Sequence, residues 1–244
     1  MKRHTQASKA SDTPGLGRTI LTVGVDESPP PPLCFGVPDS LDYKGFEVDL
    51  LKVIALKLGV ELCCQSVLRS VAFDELQGGR LDMICTAVAI TPQRRKLVDF
   101  SDPYFETDLA MIVHRDSPIQ CVHDLGGRRV GVRIATVAEE FVHGHCQPSI
   151  VRTFNLNVDA YQALRDQQID AVIDDRPIGV FFAHFMEGLS VAPPLPGTGF
   201  QYGIVFAKGN DLLRGTVNHA LATLRADGTM QHLHRRWFDE GGAQ

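Results

Sequence analysis

Three short apolar runs between residues 18 and 89 are separated by two stretches of helical character, and a chain written this way has few folds open to it. Residues 18–25 (RTILTVGV) and 60–67 (VELCCQSV) read as strands, and residues 81–89 as a third, buried one. Gly45 precedes FEVDLLKVIALKLG, in which Leu50, Leu51, Ile54 and Leu58 recur at helical spacing and Gly59 stands where a left-handed residue closes a helix. Residues 73–77 read as a short helix ended by Gly78-Gly79. Strand, helix, strand, helix, strand predicts a parallel α/β sheet with right-handed crossovers.

A second set follows. Residues 109–114 and 129–133 read as strands on either side of the turn Asp124-Leu125-Gly126-Gly127. Thr136 and Glu139 have capping-box spacing, which predicts a helix to about His143. Residues 159–166 read as a helix, 169–173 as a buried strand, and Asp174-Asp175-Arg176-Pro177 as the turn into another helix. After a loop over 193–199, residues 201–207 return to strand and 211–238 form an amphipathic helix interrupted at Asp227-Gly228. Two α/β units joined by extended segments predict two lobes with a cleft between them, the usual place for a small ligand.

At the end of the third strand the apolar pattern breaks at Thr91-Pro92, an N-cap hydroxyl followed by proline, so a helix is expected there. Arg94 and Arg95 then fall in its first turn, where the helix dipole and free N–H groups are already positive. An anion such as a carboxylate would relieve that conflict; two solvated surface arginines are the alternative.

Composition removes several function classes. A net charge of −5 over 244 residues leaves no broad basic field, so nucleic acid is not expected as a partner. No apolar run approaches the length that crosses a bilayer. The first 17 residues have a basic start but no apolar centre, so they read as a disordered leader and not as a complete signal peptide. Six cysteines, Cys34, Cys63, Cys64, Cys85, Cys121 and Cys146, show no CxxC pair or framework spacing and read mostly as buried free thiols. His143-Gly144-His145-Cys146 lacks helical ligand geometry and reads as a helix end, so no metal site is expected. Hydrolase, metalloprotease and phosphate-loop motifs are absent, and neither a cofactor nor a catalytic residue is expected.

Five strings, GFEVDLLKVIALKLG, LQGGRLDMICTAVAITPQRRKLVDFSDPYF, DLGGRRVGVRIAT, IDAVIDDRP and LRADGTMQHLHRRWF, occur in order. Together they resemble the extracellular solute-binding proteins that deliver polar amino acids to ABC importers. The resemblance implies a two-lobed, periplasmic-binding-protein-like α/β fold of type II, with lobe one at 18–105 plus 203–244 and lobe two at 106–202. It further implies a monomer outside the cytoplasm, whose partners are a small amino acid and the importer's membrane subunits. Arg94 takes the place of the arginine that forks onto the ligand's α-carboxylate, and Asp175 that of the carboxylate that receives its α-ammonium. Asp175 alternatively caps the helix after it, unless Asp174 does so. Ala87 and Ala89 fall on the binding loop, and Thr136 and Val137 at the helix start that adds N–H donors. A hydroxyl is usual at the positions of Ala89 and Val137, and an aromatic at Pro29. Arg69 and Arg133 fall where the ligand's distal part is contacted. If both face inward, an acidic or amide side chain is expected. Two rivals share the fold: a cyclohexadienyl dehydratase-like enzyme, with Asp26 or Glu27 as its acid, and the sensor module of a receptor.

Overall fold

The computed structural model describes Gly17 and residues 19–28, 30–38, 40, 42–146 and 150–239. The leader before Gly17, and Pro29, lie outside the described residues.

Strand β1 (Ile20–Asp26), helix α1 (Phe46–Leu58), strand β2 (Glu61–Val67), helix α2 (Ala72–Gln77) and strand β3 (Met83–Ile84) follow the expected alternation. β1 pairs in parallel with both β2 and β3. Gly59 ends α1 in the left-handed conformation, its N–H bonding back to the last turn. Leu50, Leu51 and Ile54 of α1 are buried in one cluster with Val217, Leu221 and Leu224.

β4 (Asp99–Phe100) precedes β5 (Phe105–Thr107), which leads into a second sheet of β6 (Leu109–His114), β7 (Arg129–Arg133), β8 (Ile150–Phe154), β9 (Ala171–Asp175) and β10 (Leu189–Val191) in the order β10-β6-β9-β7-β8. Helices α3 (Val137–His145), α4 (Asn157–Arg165) and α5 (Arg176–Phe185) accompany it, and β11 (Phe200–Tyr202) carries the chain back. β12 (Val205–Phe206) completes the first sheet, ordered β2-β1-β3-β12-β4, and helices α6 (Asp211–Ala226) and α7 (Thr229–His234) close the chain.

The two crossings pair with each other. β5 and β11 form an antiparallel ribbon with Phe105 opposite Tyr202 and Thr107 opposite Phe200. A two-stranded connection between two five-stranded sheets is narrow enough to bend.

Four expectations about local structure need correction. Both sheets are mixed, because β12 and β6 run antiparallel to their neighbours. These are the strands next to the crossings, and a chain arriving from the opposite lobe enters in the reverse direction. The strand expected over 81–89 is regular only at Met83–Ile84, since Ala87 takes a positive φ of 48° and turns the chain. The strand expected over 201–207 is split between the ribbon and the first sheet. The helix expected after Thr91-Pro92 is a single 3-10 turn, Arg94–Lys96, entered through a bond from Arg94 N–H to Thr91 Oγ1. β4 follows within three residues, too soon for a longer helix.

Gly45 has φ 141°, and a Cβ there would fall on the carbonyl of Leu33. Gly45→Ala is expected to cost about 1–3 kcal/mol and lower the melting temperature by roughly 3–10 °C, read by calorimetry.

Candidate functional site

Loop ends from both sheets meet at one cleft, where Arg69, Ala87, Ala89, Arg94, Arg133, Thr136, Val137 and Asp175 line a single cavity. The eight residues singled out from the sequence are thus brought together, and Asn157, Asp174 and Ile178 join them. The cavity holds about 10 Å³, which is about the room one water needs. The lobes are closed on each other, and admitting a ligand requires them to part.

Arg94 spans the closure. Its Nη1 donates to Ala89 O at 3.0 Å on its own lobe, and its Nη2 donates to Ala135 O at 3.1 Å on the other. Burial and the nearby Arg69 charge pull its pKa below the ordinary range. A guanidinium held this way gains from any anion that reaches it. Arg95 is exposed, with its guanidinium over the Phe100 ring.

Asp175 ends β9, buried. Tyr202 OH donates to its Oδ2 at 2.5 Å, while Oδ1 is buried without a hydrogen-bond partner among the described residues. Burial and the neighbouring Asp174 push its pKa up to about 7. It stands at the N-cap position of α5 but makes no capping bond, and Asp174 does not cap that helix either, which corrects the alternative raised for it. Asp174 Oδ1 accepts from Asp175 N–H at 2.9 Å, and its Oδ2 accepts from Asn157 Nδ2 at 2.6 Å and Tyr161 OH at 2.9 Å. That carboxylate is consumed inside lobe two.

Thr136 does cap α3, accepting from Glu139 N–H at 3.3 Å and donating to Arg133 O at 2.7 Å. Glu139 returns its bond to Ala135 N–H, one residue ahead of the usual capping-box partner. The Thr136 hydroxyl is occupied, leaving backbone donors as its contribution to the cleft.

Arg69 and Arg133 both face inward and meet at Asp26, the last residue of β1. Asp26 Oδ1 accepts from Arg133 Nη2 at 2.8 Å and Oδ2 from Arg69 Nη2 at 3.0 Å. Burial raises the Asp26 pKa, but the two guanidiniums outweigh it and hold the carboxyl below its ordinary range. Arg133 crosses between lobes and is fastened in its own by Asn155 O and Asn157 Oδ1, both at 3.0 Å. Sequence reasoning weighed Asp26 only as an acid and passed over Asn157, Tyr161 and Tyr202. The one signal for Asp26 was its place at the end of the first strand.

Glu47 is also buried, in the first turn of α1, where its Oε1 accepts from Ala87 N–H at 2.7 Å and from Tyr104 OH. It pins the turn at Ala87 from beneath, and burial raises its pKa.

The match to known proteins follows this geometry. Residues 21–240 fit the model of the bacterial extracellular solute-binding proteins, family 3. The chain belongs to that family. It is 32% identical over 226 residues to the L-cystine-binding protein TcyJ of Escherichia coli strain K12, covering 91% of this chain and 83% of TcyJ. Its fold superposes on an ancestral arginine-binding protein bound to glutamine with a TM-score of 0.83 at 32% identity, covering 91% of this chain and 99% of that one. The ancestral amino-acid-binding protein AncCDT-1, a precursor of cyclohexadienyl dehydratase, gives a TM-score of 0.84 at 30% identity, covering 91% and 96%. Family members are two-lobed amino-acid-binding proteins of ABC importers. No helix among the described residues is long and apolar enough to cross a membrane, and no group of three metal-ligating side chains occurs among them.

The raised pKa of Asp175 sets a stability test. The folded chain holds this proton more tightly than the unfolded chain, so the contribution is full below about pH 4 and is lost as pH rises through 7. Asp175→Asn should therefore melt above the parent at pH 8, with the gap closing toward pH 4. A gap independent of pH in thermal melts would contradict the assignment.

Proposed function

We propose that this chain captures a polar α-amino acid in the interlobe cleft and presents it, closed, to the membrane subunits of an ABC importer. The observation that carries the reading is the buried, unpartnered Asp175 Oδ1 in the same cavity as Arg94. The first suits an α-ammonium and the second an α-carboxylate, and a rigid fork suits a carboxylate better than a point charge does. The relatives' location supports an extracytoplasmic site of action. The reading takes the lobes as 18–105 plus 203–244 and 106–202, and the chain as a monomer.

Closure supplies the signal. Arg94 belongs to one lobe and Asp175 to the other, so a ligand touching both prefers the closed form and adds that preference to the Arg94–Ala135 and Arg133–Asp26 bonds that already cross the cleft. Ala89 and Val137 offer no hydroxyl, so more of the affinity must come from charged contacts. An acidic or amide side chain fits the two remaining guanidiniums, Arg69 and Arg133, better than a cationic one does, although Asp26 already answers part of that charge from within the chain. The dehydratase-like reading loses the acid named for it, because Asp26 is held ionised and Glu27 is exposed away from the lining.

Arg94→Ala should weaken amino-acid binding by about 2–5 kcal/mol, thirtyfold or more, in calorimetry with an unchanged melting profile. Affinity kept within threefold would remove the carboxylate clamp. Because lobes that part to admit the ligand are drawn back together by it, saturating amino acid should shift the free chain's mixture of open and closed forms toward the closed one and shrink the radius of gyration in small-angle scattering, and an unchanged profile would count against hinge closure.

A further inference from the structure

Beyond the cleft lies a second cavity of about 260 Å³ that shares Arg69 and Arg94 with it. Its lining includes the apolar side chains of Val67, Phe73, Ile84 and Val88 beside the hydroxyl residues Ser70 and Thr86, and the carboxylates of buried Asp26 and exposed Glu140. From this chamber, together with the charges around it, we infer that the ligand is a two-headed amino acid, with a second ammonium and carboxylate joined to the first by a short apolar linker. The inference rests on the amino-acid reading above and names its substrate class.

The near head uses Arg94 and Asp175. Two cations remain, Arg69 and Arg133, and the single carboxylate of Asp26 accepts from both. Arg133 spends its other nitrogens on Asn155 and Asn157, whereas Arg69 Nε is buried with no hydrogen-bond partner among the described residues. A buried guanidinium nitrogen without an acceptor is costly, and a second carboxylate from the ligand would supply one.

A bare acid would leave the rest of the chamber unexplained. Glu140 reaches it from α3, on the opposite lobe from Arg69, and puts a carboxylate where a distal ammonium would be met. The four apolar side chains offer no hydrogen-bonding group, which suits methylene or sulfur atoms between the heads. Glutamate and glutamine lack the second cation, and lysine and arginine lack the second carboxylate. A two-headed molecule uses Arg69 and Glu140 together, one on each lobe, so its far end adds to the closing preference of its near end.

The probe is L-cystathionine, whose thioether joins two amino-acid heads and cannot exchange with the free thiols of this chain, of which Cys121 is exposed. Calorimetry on the full chain compares it with L-glutamate, L-glutamine and L-arginine. We expect cystathionine to bind at least fivefold tighter than each of them. Arg69→Met should reduce that preference to within twofold. Glu140→Gln, a change at an exposed position that keeps the fold, should weaken cystathionine more than glutamate. A preference below fivefold in the parent, or a Glu140→Gln loss no greater for cystathionine than for glutamate, overturns the two-headed inference while any amino-acid binding leaves the broader reading standing. Binding of none of the four by a chain with its native melting profile overturns both.

Discussion

Charge taken out of water must be answered by charge, and in this cleft Asp26 answers two guanidiniums at once. It reaches them from the end of β1, a strand paired in parallel on both sides, and one of the two, Arg133, belongs to the other lobe. The pair therefore joins the lobes through groups that would each be expensive to leave alone. Around it runs an unbroken series of polar contacts, from Arg69 through Asp26, Arg133, Asn157 and Asp174 to the backbone of Asp175. Removing a middle member strands its neighbours, whereas the ends face the cavity.

The architecture was legible because it is written in periodicity. The helix FEVDLLKVIALKL and the strands LAMIVH and RVGVR appear where spacing and turn residues put them, since burying one face of each is what the pattern encodes. Strand direction was not legible. The antiparallel entries of β6 and β12 depend on which lobe the chain arrives from, and local pattern carries no record of that.

The site was legible in part. Resemblance supplied Arg94 and Asp175, and all eight named residues line one cavity. What the sequence hid was partnership. Asp26 lies 43 residues from Arg69 and 107 from Arg133, and Tyr202 lies 27 from Asp175, separations at which no spacing rule operates. The short turn at Thr91 misled for the opposite reason: the local N-cap signal is genuine, but β4 begins before a helix can propagate.

Tyr202 holds three appointments at once. Its hydroxyl bonds Asp175, its backbone bridges Ala89 on the binding loop, and it faces Phe105 across the ribbon with their rings stacked. The hydroxyl that meets Asp175, the backbone that meets Ala89 and the ring that packs the ribbon thus belong to one residue, which cannot change for one contact without disturbing the others. Glu140, exposed on α3, carries no such burden. Under the proposed reading, a scaffold built this way would exchange what it carries by altering its far rim, while the joint and the amino-acid grip would be inherited together.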